Sequence, residues 1–173
     1  GSTWPKDEEL LARYMAEREG VKLVLVPHEI DAAHLHDIFQ LFEGRYVRYT
    51  EATPQSVDKC RVLLVDTIGV LSSIYRYGDV AYIGGGFGVS IHNTLEAATF
   101  GLPIAFGPKY EKFKEARDMV ALGAATKVEN AEELSRWFAP LRDDAEYLAR
   151  TSAIAKDYTA KNHGTLRLIF KLK

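Results

Sequence analysis

The chain has 173 residues, 47% hydrophobic and 27% charged, the make-up of one globular domain with a real core. A net charge of -2 and a pI near 6.2 exclude the clustered excess base that a nucleic-acid surface needs. One cysteine, Cys60, excludes a disulfide framework and points to a reducing compartment, and no apolar run approaches the ~20 residues that span a bilayer.

"STWPKDEELLARYMAERE" (2–19) reads as a helix, with Ser2 or Thr3 as cap, Pro5 near the first turn and acids at 7–9. Leu10, Leu11, Tyr14 and Met15 form its apolar face. "VKLVLVP" (21–27) is a buried strand stopped by proline, and "DAAHLHDIFQLFEG" (31–44) a helix capped by Asp31 with Gly44 past its end. "RYVRYT" (45–50) alternates like an edge strand. "RVLLVD" (61–66) is a buried strand, followed by a short helix in "GVLSSIYRYG" (69–78). "VAYIGG" (80–85) and "PIAF" (103–106) are strands that enclose a helix over 92–100. "YEKFKEARDMVALG" (110–123) is a helix, "AATKV" (124–128) a strand, and "NAEELSRWFAPL" (130–141) a helix capped by Asn130. From about 144 to 173 the signals are helical, interrupted near Asn162-His163-Gly164.

Strands alternating with helices imply βαβ units, so the expected fold is α/β: a Rossmann-like, doubly wound parallel sheet in a single domain over 1–173. The first element is a helix with no strand before it. The chain therefore reads either as a piece of a longer protein or as a domain that opens on its helix.

In open parallel sheets ligands bind beyond the carboxyl ends of the strands. Three segments reach that edge with useful groups: Pro27-His28-Glu29, Asp66-Thr67-Ile68-Gly69, and Gly84 to Glu96. In the third, glycines allow close approach to backbone N–H groups, and a helix start suits an anion. The spacing matches neither G-x-G-x-x-G nor G-x-x-x-x-G-K-[ST], so neither an NAD domain nor a P-loop is supported. Asn93 and Glu96 have two readings. They form a capping box, or Glu96 faces the crevice and accepts from paired sugar hydroxyls. In the second segment the backbone near Gly69 could read a base edge beside Ile68, or Asp66 simply caps the helix. His28 could meet a phosphate or ribose. His92 is secondary. No His/Cys/Asp/Glu set has metal-site spacing, and no nucleophile signature is present. The residues make up half of a site.

These stretches resemble a known family. "DTIG" (66–69), "YGDVAYIGGG" (77–86), "HNTLEAATFGLPIAFGP" (92–108) and "FKE" (113–115) are similar to the carboxyl-terminal half of 3-deoxy-D-manno-octulosonic acid (Kdo) transferases. "GSTWPKDEELL" looks like the G-S-T motif of that half. The resemblance implies a GT-B glycosyltransferase of two Rossmann-like domains with its active site in the cleft between them. It moves Kdo from CMP-Kdo to a lipid A precursor in lipopolysaccharide core synthesis, at the cytoplasmic face of the bacterial inner membrane. This chain would be the donor-binding domain, itself soluble and inactive alone, with no cofactor, no metal and no nucleic-acid partner. The catalytic glutamate, the acceptor site and the membrane contacts would lie in an amino-terminal domain outside this chain, so no catalytic residue is named.

Carried across, the nucleotide is met by Pro27 and His28, by Ile68, Gly69 and Val70, and by Asn93, Thr94, Leu95 and Glu96, with Ser2, Gly86 and His92 secondary. Glu96 would hold the ribose, the 68–70 backbone the cytosine, and the 92–94 helix start the phosphate. Two departures stand out. Many members carry Pro-Arg-His where this chain reads Pro27-His28-Glu29, and many carry two glycines where it reads Ser90-Ile91. The alternatives are a GT-B domain for a UDP-sugar and a non-catalytic nucleotide-binding or interaction module. Gly88 stands where retaining relatives of the former would need an acid.

Overall fold

The computed structural model describes residues 1–170. Its first half runs α1 (Pro5–Glu17), β1 (Leu23–Leu25), α2 (Ala32–Leu41), β2 (Val47–Arg48), α3 (Pro54–Lys59), β3 (Val62–Leu64) and α4 (Leu71–Ile74). The second half runs β4 (Ala81–Ile83), α5 (Leu95–Thr99), β5 (Ile104–Phe106), α6 (Lys114–Leu122), β6 (Ala125–Lys127), α7 (Ala131–Asp143) and α8 (Ala145–Phe170). Single 3-10 turns follow β2 and α4.

The strands form two three-stranded sheets, ordered β1-β3-β2 and β4-β5-β6, with every pair parallel. The segment Gly1–Thr3 stitches them together. Thr3 N donates to Val26 O (3.2 Å) and His28 N to Thr3 O (2.9 Å) on one side. On the other, Gly1 N donates to Tyr82 O (2.5 Å) and Gly84 N to Gly1 O (2.9 Å). Both sets follow the parallel ladder pattern, so all six strands point the same way and share one carboxyl-terminal rim.

The core lies on both faces of this sheet, as the doubly wound expectation requires. Side chains alternate along a strand. On β5, Ile104 and Phe106 pack with Ile83, Ala97, Ala98 and Met119, whereas Ala105 packs with Leu10, Leu25, Leu64 and Leu134 on the opposite face. All three β5 residues are fully buried, the signature of a central parallel strand. The predicted apolar face of α1 is buried at Leu10, Leu11, Tyr14 and Met15. Asp31 Oδ1 accepts from Ala33 N and His34 N, and Asn130 Oδ1 from Glu133 N, so both predicted caps form.

Other boundaries differ from expectation. Trp4, not Ser2 or Thr3, precedes the first turn of α1, because its N–H donates to Asp7 Oδ2 while the Thr3 hydroxyl turns inward to Glu8. Helix α3 was not anticipated, although Thr53, Pro54 and Ser56 carry its signal as a reciprocal cap with Pro at the first helical position. The helix expected over 92–100 begins only at Leu95, and the one over 110–123 only at Lys114, after a turn closed by Phe113 N to Tyr110 O. Asp66 does not cap α4. Its carboxylate accepts from Thr50 N (3.1 Å) and Thr50 Oγ1 (2.7 Å), tying the end of β3 to the turn after β2. Finally, α8 continues through Asn162-His163-Gly164 as far as Phe170, since one glycine costs a helix only about 1 kcal/mol. Residues 171–173 of the expected helical stretch lie outside the described residues.

Candidate functional site

Because the strands are parallel, the residues after β1, β3 and β4 emerge along the same rim. Pro27 is buried and His28 exposed. Ile68 is 86% exposed, Gly69 is exposed and Val70 half-buried. Asn93 and Glu96 are exposed, Leu95 is half-buried, and Thr94 is buried.

The glycine run after β4 serves the chain's own backbone. A Cβ on Gly84 would sit 2.1 Å from Ser2 O, and one on Gly86 2.6 Å from Gly107 Cα. These two glycines let main chains cross at distances no other residue allows. Ser2 and Gly86, named as secondary contacts, thus hold the rim together from within. His92 N then donates to Gly84 O (3.1 Å), folding the loop back on itself.

The loops after β1 and β4 meet directly. The His28 ring stacks on His92 with centroids 4.4 Å apart and on Trp4 at 4.7 Å, and Trp4 Nε1–H donates to His92 Nε2 at 3.0 Å. Burial, and then the neighbouring His28, hold the His92 ring below its usual protonation range, while the Asp7 carboxylate pulls the other way.

At the start of α5 the expected capping box is replaced by a different arrangement. Asn93 Oδ1 accepts from Leu95 N (2.9 Å), while Asn93 Nδ2 donates to Glu96 Oε1 (3.1 Å). Glu96 is therefore held by a side chain, and its bond back to the cap backbone is absent. Thr94 is 1% exposed, and among the described residues its hydroxyl has no hydrogen-bond partner. Such an unmet group costs about 1–3 kcal/mol, which makes it worth explaining.

The third loop joins less directly. Among the described residues, no hydrogen bond links Ile68, Gly69 or Val70 to the other two segments. The link runs through α4 and the turn after it: the Leu71 side chain and the Tyr75 hydroxyl lie against Gly1. Burial first, and then the charge of Glu96, push the Tyr75 phenol well above its usual range.

Beneath the rim lies a buried network that the sequence reading missed. Asp7 Oδ2 accepts from Trp4 N and Gly85 N (both 2.9 Å), and Oδ1 from the Tyr82 hydroxyl (2.8 Å). Glu8 is 2% exposed and accepts from Thr3 Oγ1 (2.9 Å) and from His34 Nε2 (2.8 and 3.0 Å). Burial raises its carboxyl, against the pull of the His34 and Thr3 hydrogen bonds. Acids in a first turn look like ordinary helix-dipole complements. Only the tight Thr3-Trp4 lead-in hinted that these two point inward.

Glu29, Asp31 and His34 could bring ligand atoms within 4.8 Å of one another. Asp31 is already used as a cap and His34 Nε2 by Glu8, so two of the three are committed elsewhere. A cavity of about 620 Å³ opens at the other end of the first sheet, lined by Met15, Phe42, Val47, Lys59, Cys60 and Val62. None of the predicted site residues lines it.

No family model matches the chain. It is 32% identical over 124 residues to the 3-deoxy-D-manno-octulosonic acid transferase of Bordetella pertussis, covering 70% of this chain and 29% of that one. It is 31% identical over 116 residues to the transferase of the same name from Aquifex aeolicus (strain VF5), covering 66% of this chain and 31% of that one. This chain is a relative of the Kdo transferases. It spans about a third of the length of these curated Kdo transferases. Among solved structures, it superimposes with a TM-score of 0.74 on the C-terminal CMP-Kdo binding domain of WaaA from Acinetobacter baumannii. That match, at 23% identity, covers 91% of this chain and 85% of that one, and shows a shared fold. Among the described residues no helix is long and apolar enough to cross a membrane.

Proposed function

We propose that this chain is the donor-binding domain of a Kdo transferase, a two-domain GT-B enzyme that moves Kdo from CMP-Kdo to a lipid A precursor. The observation that carries the proposal is the sequence identity to named Kdo transferases, 32% over 124 residues and 31% over 116. Asn93 Nδ2 holds Glu96 Oε1 while Oε2 has no hydrogen-bond partner among the described residues, an arrangement suited to accepting from vicinal ribose hydroxyls. The loop at Ile68, Gly69 and Val70, exposed at the first two and half-buried at the third, offers backbone donors and acceptors to cytosine, with the Ile68 side chain as an apolar wall. His28, His92 and the unpaired Thr94 hydroxyl stand for the phosphate. Pro27 and Leu95 shape the loops that carry them. The acceptor site, the membrane contact at the inner membrane's cytoplasmic face and the catalytic base belong to a further domain.

Calorimetric titration of this chain with CMP, UMP and UDP tests the reading. CMP should bind measurably tighter than either uridine nucleotide. A uridine preference would instead support a UDP-sugar enzyme, and silence toward all three a non-catalytic module.

A further inference from the structure

The structure assigns Trp4 a role that no site motif gives it: its indole N–H sets the tautomer of His92, so that the imidazole is held neutral with Nδ1–H, which has no hydrogen-bond partner among the described residues, as its donor toward the ligand. This rests on reading the rim as the donor site. An indole nitrogen can only donate, so at 3.0 Å His92 Nε2 must accept and carries no proton. A neutral imidazole with a bare Nε2 carries its hydrogen on Nδ1. Protonation of His92 would set two N–H groups head to head and break the Trp4 contact.

The surroundings reinforce the neutral form. His28 lies face to face with His92 at 4.4 Å, so a second positive charge is opposed there. Asp7, from the first turn of α1, is the one facing group that favours the cation, and its oxygens already accept from Trp4 N, Gly85 N and the Tyr82 hydroxyl. The Cδ2–Nε2 edge of His92 is the packed one, since a Cβ added to Gly85 would lie only 3.1 Å from Cδ2 and 3.4 Å from Nε2. Nδ1–H is thus directed away from that packed edge, and it suits an oxygen of an anionic group bound between the loops after β1 and β4. At this place the chain presents a neutral, orientated donor, with the exposed His28 ring stacked over it. Trp4 is a positioning residue, acting through His92.

The test is ¹⁵N NMR of the imidazoles in the free chain, together with CMP titration, for the unsubstituted protein, Trp4→Phe and His28→Ala. Trp4→Phe keeps an aromatic ring in the stack and deletes the N–H. In the unsubstituted protein His92 should show a protonated Nδ1 and a bare Nε2 from pH 6 to 8. Trp4→Phe should give a mixture of tautomers, a higher protonation midpoint, and a roughly 3- to 10-fold loss of CMP affinity at neutral pH. His28→Ala should leave the tautomer unchanged. A protonated Nε2 in the unsubstituted protein, or a His92 spectrum indifferent to Trp4→Phe, overturns the assignment. An unchanged CMP affinity in a variant that has lost the tautomer overturns the positioning role. If the tautomer is as assigned and CMP does not bind at all, the donor-site reading fails while Trp4's control of His92 stands.

Discussion

Glu96 carries the sharpest choice at the scale of single residues. A capping carboxylate stabilises its helix, whereas a ligand-facing one spends its oxygens elsewhere. Here Glu96 is exposed and, among the described residues, held by Asn93 Nδ2 alone, so its loss removes little from the fold. Glu96→Ala should shift unfolding free energy by no more than about 0.5 kcal/mol while CMP affinity falls at least several-fold. Thermal melting and calorimetry on the same sample decide it, and a large loss of stability with intact affinity would return Glu96 to a structural role. Rim residues were legible in the sequence where their chemistry is local: His28, Asn93 and Glu96 announce themselves by type and position. Asp7, Glu8 and Trp4 were not, because their roles depend on Gly85, Tyr82, His34 and His92, all distant in sequence. A carboxylate in a first turn looks the same whether it faces water or a neighbouring loop.

The parallel ladders are short, three residues each where β1 meets β3, β4 meets β5 and β5 meets β6, and two where β2 meets β3. The sequence runs are longer than these ladders, which is why the expected strands overran the observed ones, at both ends everywhere but β5, whose end at Phe106 matches. Helix starts went astray at Asn93 for a related reason. An Asx turn satisfies Leu95 N from the side chain two residues earlier, so the chain delays its first helical turn. The caps Asp31 and Asn130 were legible because each follows a strand or loop and bonds within three residues. β5 bears the most weight among the elements, with Phe106 at 0% exposure between α5, α6 and β4. Phe106→Ala should cost about 3–5 kcal/mol in denaturant unfolding, most of it from the cavity left behind. A cost below about 1 kcal/mol would mean that this face of the sheet is loosely packed.

For the whole molecule, the decisive feature is the continuity of one rim across two sheets. Gly1–Thr3 supplies it by hydrogen-bonding to Val26 and His28 on one side and to Tyr82 and Gly84 on the other. The α/β class followed from the alternation of apolar runs and caps. The stitching did not, because a three-residue lead-in has no periodicity to read. The rim brings His28 onto His92 directly and reaches Ile68–Val70 only through α4 and Gly1, so the third loop is where the account is most exposed. Backbone NMR with added CMP tests this most directly. Shifts confined to His28, Ile68 to Val70 and His92 to Glu96 are the predicted result. Shifts that spare the 68–70 loop, or that gather instead around Lys59 and Cys60 at the opposite end of the strands, would contradict it.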